Sequence, residues 1–170
     1  MGTATYLIGI GSNRVGARAR VAAFCTPAKA GAQSRQKIWT PAFAGELLVA
    51  SRLHTSRPIG PGTRDYANAV VMIESKHKPD ALLKKLKKME RAAGRRPGRR
   101  WGDRPLDLDI VAWSGGIWAS PGLTIPHPAF RKRRFVLAPL CEIAPDWRDP
   151  LTYLTARQLL ARLDQKRRCA

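Results

Sequence analysis

Arg99 to Trp113 reads Arg-Arg-Trp-Gly-Asp-Arg-Pro-Leu-Asp-Leu-Asp-Ile-Val-Ala-Trp, with Asp107-Leu108-Asp109 inside an apolar run. On a β-strand successive side chains point to opposite faces. Asp107 and Asp109 then share one face, and Leu106, Leu108 and Ile110 the other. Two residues of strand separate the two Cα atoms by about 6.5 Å. Carboxylates at that spacing can converge on two cations about 4 Å apart. Mg²⁺ takes one or two carboxylates and completes its octahedron with phosphate oxygens and water. Upstream stand Arg95, Arg96, Arg99, Arg100 and Arg104, whose planar, permanently charged guanidinium groups suit phosphate. Metal-holding acids beside phosphate-holding arginines point to nucleotide chemistry. An Asp-x-Asp pair more often decorates a solvated strand or turn, but Asp is a poor strand former and burying it unpaired is costly.

The elements that must carry these residues follow from periodicity. Thr5–Ile10 predicts a buried strand, closed by the turn Gly11-Ser12-Asn13. Gly9-x-Gly11 is not a dinucleotide fingerprint, because Arg14 holds the place of the third glycine. No Gly-Lys-Ser/Thr phosphate loop occurs. Ala17–Phe24 starts a helix that breaks off. Residues 25–46 carry Pro27, Pro41 and several glycines without either hydrophobic period, and are expected to be an exposed excursion. Leu47–Leu53 predicts a strand, and Tyr66–Ile73 another, with Tyr66, Asn68, Val70 and Met72 on one side. Asp80 is expected to cap a helix with Leu82, Leu83, Leu86, Met89 and Ala93 at helical spacing, Lys84, Lys85, Lys87 and Lys88 solvated, and Gly94 as its stop. The Asp-bearing strand, Leu106–Trp113, is expected to turn at Ser114–Gly116 into Ile117–Ala119. Phe130–Leu140 predicts one helix, Pro145–Pro150 the end of the compact part, Thr155–Gln165 a last amphipathic helix, and 166–168 a frayed basic tail. His54 and His77 are expected to be surface or loop residues. The order suggests an α+β sandwich, a mostly antiparallel sheet with helices packed on it.

The 170 residues suit a single domain, 1–170, with an inserted excursion expected at about 25–46. No apolar run approaches a membrane span of about 20 residues, and no secretory signal is read at the start. Three widely spaced cysteines, Cys25, Cys141 and Cys169, argue for reduced thiols in the cytoplasm rather than a disulfide frame or zinc site. The net charge of +19 favours polyanionic partners.

Four stretches closely resemble one family, 6-hydroxymethyl-7,8-dihydropterin pyrophosphokinase of folate biosynthesis. They are Tyr6–Asn13; Ser56–Pro61 with Tyr66–Ala69; Arg100–Arg104 with Leu106–Ile110; and Ile125–Pro128 with Arg133–Leu137 and Pro139-Leu140. The resemblance implies a ferredoxin-like fold and transfer of pyrophosphate from ATP to the pterin hydroxymethyl group, releasing AMP. It implies that Asp107 and Asp109 hold two Mg²⁺ ions, that Arg95 and Arg104 clamp phosphate, and that Trp101 rides a loop closing over the site. Trp101, Thr124, His127 and Arg133 match nucleotide contacts. Ser56, Pro58, Ile59, Tyr66, Asn68 and Phe135 match the pterin pocket. The partners implied are ATP and the pterin, with no membrane, no obligate nucleic acid, and a monomeric enzyme.

The chain departs from the family in three places. Asp103 stands where a proline is usual, and Ser56-Arg57 replaces the threonine before the pterin-loop proline. Residues 26–33 and 39–45 look like peptides read from mobile palindromic DNA repeats, within what is one continuous helix in the family. The alternative is a basic nucleic-acid-binding protein on the same fold, its activity lost through the insertion. A sugar-nucleotide transferase would share the Asp-x-Asp logic but lacks the other three stretches.

Overall fold

The computed structural model describes residues 2–26, 44–58, 63–95 and 104–169. Most of the expected excursion, together with Ile59, Arg96, Arg99, Arg100, Trp101 and Asp103, lies outside them. In chain order the elements are β1 (Ala4–Ser12), α1 (Ala17–Cys25), β2 (Glu46–Ala50), β3 (His54–Ser56), β4 (Tyr66–Ser75), α2 (Pro79–Ala92), β5 (Asp107–Trp113), β6 (Trp118–Ser120), β7 (Leu123–Ile125), a 3-10 turn (Phe130–Lys132), α3 (Arg134–Ile143) and α4 (Ala156–Arg168). The sheet runs β2-β4-β1-β5 with β3 also on β4, every pairing antiparallel. This is the α+β, ferredoxin-like arrangement expected.

Alternation along the two central strands separates two cores. Tyr6, Ile8 and Ile10 of β1, with Ala67, Ala69, Val71 and Ile73 of β4, pack under Val21 and Phe24 of α1 and Leu82, Leu86 and Met89 of α2. Leu7 and Val70 face the other way, onto Phe130, Val136, Leu137 and Leu140, and onto Ala156 and Leu159 of α4. In β5 the register opposite Leu7 and Ile8 skips one residue, leaving Val111 as the extra one. Such a bulge bends the strand and changes its alternation. Val111 and Ala112 therefore both join the second core.

Several expectations are corrected. Leu47–Leu53 is not one strand: the ladder breaks at Ser51, whose N–H donates to the Val70 carbonyl while its Oγ accepts from the Val70 N–H. Helix α2 is capped by Lys78 with Pro79 in the first turn, where a missing N–H is harmless, and Asp80 instead accepts from Ser120. β6 pairs with β7 in a separate ribbon rather than with β5. Phe130–Leu140 is a 3-10 turn followed by α3, which runs on to Ile143. The compact part does not end at Pro150, since Ala156 and Leu159 are buried. Helix α4 opens with a Thr155–Gln158 capping box and includes Lys166–Arg168. His54 is bound rather than loose: its ring Nε2 lies 2.9 Å from Glu142.

Candidate active site

The first constraint on the site is the end of β1. Ser12 Oγ donates to the Pro105 carbonyl at 2.8 Å, and Asn13 exchanges two bonds with Arg104: the Arg104 N–H donates to Asn13 Oδ1 at 2.7 Å, and the Asn13 N–H donates to the Arg104 carbonyl. These bonds lay the residues before β5 along the β1 terminus and fix where Arg104 starts. Arg104 Nη1 then reaches Asp107 Oδ2 at 2.6 Å.

The second constraint is the end of α2. Gly94 adopts φ +95°; its N–H bonds the Arg91 carbonyl, and the Arg95 N–H bonds the Glu90 carbonyl. This is the Schellman pattern of a glycine-terminated helix. It places Arg95 so that Nη1 bridges Glu90 Oε2 at 2.6 Å and Asp107 Oδ1 at 2.7 Å.

Glu90, 1% exposed, anchors this end. Its Oε1 accepts from the Leu108 N–H at 2.8 Å and from Lys87 Nζ at 2.7 Å, and Lys87 also reaches the Leu108 carbonyl. β5 has no strand on its far side among the described residues, so these two side chains satisfy its outer backbone groups between the two aspartates. Lys87 is thus no solvated lysine, contrary to expectation. Glu90 falls four residues after Leu86 on the apolar stripe, and a carboxylate where hydrocarbon is due was the signal that sequence reasoning missed.

Asp107 and Asp109 line one cavity of about 340 Å³ with Gly9, Gly11, Asn13, Ser56, Arg57, Pro58, Tyr66, Asn68, Arg104, His127, Arg133 and Phe135. The two acids differ in surroundings. Asp107 is engaged by both arginines; burial alone would raise its pKa, but Arg104 and Arg95 outweigh it and hold the carboxyl below its ordinary value. Asp109 stands 4.0 Å from Lys87 Nζ, 3.9 Å from His127 Nε2 and 3.8 Å from Arg133 Nη1, beyond hydrogen-bonding reach. His127 accepts the Ala129 N–H on Nδ1, which leaves Nε2 to carry the proton toward Asp109. Burial lowers the His127 pKa despite Asp109, so the ring stays neutral and keeps that tautomer.

The floor is glycine. A Cβ on Gly11 would sit 3.5 Å from Asn68 Oδ1 and 3.9 Å from Asp107, and one on Gly9 would press Val111 at 3.3 Å. Asn68 Nδ2 donates to Ser56 Oγ at 3.0 Å. Arg133 lies over the Phe135 ring, 5.8 Å from its centroid. Of the residues expected at the site, Ser56, Pro58, Tyr66, Asn68, Arg104, Asp107, Asp109, His127, Arg133 and Phe135 line this cavity, and Arg95 abuts it through Asp107. Thr124 is exposed on β7 and does not line it. Ile59 and Trp101 lie outside the described residues. Among the described residues no cluster of three or more His, Cys, Asp or Glu could hold a metal. Two hard carboxylates fit Mg²⁺ when a triphosphate supplies the remaining oxygens.

The family model of 7,8-dihydro-6-hydroxymethylpterin-pyrophosphokinase matches residues 7–145. The 2-amino-4-hydroxy-6-hydroxymethyldihydropteridine pyrophosphokinase of Synechocystis is 41% identical over 119 residues, 70% of this chain and 61% of that protein. Its namesake in Haemophilus influenzae is 45% identical over 59% of this chain and 63% of its own length. That of Methylorubrum extorquens is 38% identical over 69% of this chain and 74% of its own. The chain thus spans about three-fifths of the first two relatives. A crystal structure of Plasmodium falciparum HPPK-DHPS with pteroate shares the fold, with TM-score 0.68 and 12% identity over 97% of this chain and 43% of that one. The matched span takes in both aspartates, Arg95 after α2, Arg104 before β5, and the Asn68 side of the cavity, and on that match the chain belongs to the 7,8-dihydro-6-hydroxymethylpterin-pyrophosphokinase family.

Proposed function

We propose that the protein transfers the terminal diphosphate of ATP to the hydroxymethyl oxygen of 6-hydroxymethyl-7,8-dihydropterin, releasing AMP, in folate biosynthesis. The supporting observation is one cavity that joins an acid pair ringed by cations to a flat-walled polar pocket. At the pocket end, Asn68 Oδ1 accepts from the ring's amide edge, and Tyr66 and Phe135 supply apolar walls with Ser56 and Pro58 beside them. At the other end, Asp107 and Asp109 present oxygen ligands, while Arg104, Arg133 and the His127 Nε2–H face where phosphate oxygens would lie.

Two Mg²⁺ ions, when bound between the carboxylates and the triphosphate, would neutralise charge at the β-phosphorus and on departing AMP. The chain's own work is positioning. Arg104, whose carboxylate partner is Asp107 alone, would turn to phosphate if a cation held the Asp107 oxygens, while Arg95 would keep Glu90 as its anchor. The hydroxymethyl oxygen forms its bond to the β-phosphorus as the bond to the bridging α-phosphate oxygen breaks, the electron pair leaving with AMP and the hydroxyl proton passing to a phosphate oxygen. By the family resemblance, Trp101 would help exclude water, whose attack would waste ATP. The enzyme is read as a cytoplasmic monomer. The test is AMP release from ATP, Mg²⁺ and the pterin alcohol: the wild type should release AMP only with the pterin present. Absence of pterin-dependent AMP would overturn the proposal.

A further inference from the structure

Arg57 lines the cavity just beyond β3. The sheet order puts β3, β4, β1 and β5 side by side, so about three strand spacings, roughly 14 Å, separate it from the aspartates. The cations near the aspartates have acidic neighbours: Arg95 and Arg104 on Asp107, Lys87 on Glu90, Arg133 beside Asp109. Arg57 is exposed and makes no ion pair or side-chain hydrogen bond among the described residues. Its neighbour Ser56 is tied to Asn68, whose Nδ2 also reaches the Tyr66 carbonyl at 3.4 Å. A carbonyl only accepts, so the amide orientation is fixed and Oδ1 is left for the cavity floor beside Gly11.

This end therefore offers an acceptor, Asn68 Oδ1, and counts an exposed donor-only side chain, Arg57, among its lining residues. The complementary ligand edge carries N–H groups next to a carbonyl oxygen. The 2-amino-4-hydroxy ring in the relatives' name has that edge in its keto form: an amino group at C2, N–H at N3 and oxygen at C4. A 4-amino ring would set a donor against a donor.

We propose that Arg57 is a specificity-determining residue, donating to the C4 oxygen and selecting 4-oxo over 4-amino pteridines. The inference rests on the pterin reading above. Its test is the binding of 6-hydroxymethylpterin and of its 2,4-diamino counterpart to the full chain, followed by fluorescence with Mg²⁺ and a non-hydrolysable ATP analogue. The wild type should favour the 4-oxo ring. Arg57→Ala should narrow the ratio about tenfold, the worth of one charge-assisted bond at a wet rim. Arg57→Glu should reverse it. Melting temperatures equal to wild type would show both exposed-site variants folded. Ratios unchanged in both variants would overturn the role of Arg57 while leaving the pterin reading intact. A wild type that bound neither ring would overturn both.

Discussion

Asp109 is the less committed of the two acids. Its three nitrogen neighbours, on Lys87, His127 and Arg133, stand at 3.8–4.0 Å, against 2.6–2.7 Å for the two arginines on Asp107. Asp107 belongs to the frame as well as the site, whereas Asp109 is held ready. Asp109→Asn should change stability by less than about 0.5 kcal/mol and cut pterin-dependent AMP release by about two to three orders of magnitude. Asp107→Asn should lose activity and also about 1–2 kcal/mol of stability, discounted because both arginines are about one-third exposed. Denaturant melts beside the AMP assay separate the two. Away from the cavity, Asp149 is buried and accepts from Arg131, Thr152 and the Leu151 N–H. Burial pushes its pKa up, but those bonds and the Arg131 charge bring it below the ordinary 3.8. Its stabilisation is therefore full above that value and lost as pH falls through the lowered one. Urea midpoints should fall less steeply with acid in Asp149→Asn than in the wild type.

At the scale of elements, the Schellman turn aims an arginine. A Cβ on Gly94 would meet nothing within 4 Å, but φ is +95°, so Gly94→Ala should cost about 1–2 kcal/mol through backbone strain alone. Because the same turn starts Arg95, kcat/KM should fall further than the shift in melting temperature explains; steady-state kinetics on the folded variant would show it. The elements also show what a single sequence can disclose. The two-residue period of Asp107-Leu108-Asp109 and the alternation of β4 are local, and both faces are as read. The ends of elements depend on distant partners. β2 and β3 separate because the Ser51 hydroxyl takes a backbone role against Val70, and β6 leaves β5 for β7. Glu90 stands in the sequence as an acid on an apolar stripe, but its meaning lies in Leu108, on another element.

For the whole molecule, two cores on opposite faces of one sheet leave the cavity beside α3, fed by a chain of charge +19. Long-range attraction of the nucleotide is screened over about 10 Å at about 0.1 M salt, so the KM for ATP should rise as salt is increased while kcat holds. The composition disclosed that bias but not its target, which only the motifs supplied. The insertion proposed at 25–46 can be trimmed by what surrounds it. Ala44 is buried and its carbonyl accepts from Ser75, so an excision should keep it. We propose that removing 27–43 raises the melting temperature; an equal or lower value would count against an insertion. The site's boundary has one more effect. Glu90 and Lys87 already occupy the N–H and carbonyl of Leu108 on the margin of β5. An intruding chain would find both Leu108 groups taken, so the Glu90 that holds Arg95 also helps keep this stretch of β5 from being zipped into a neighbour's sheet.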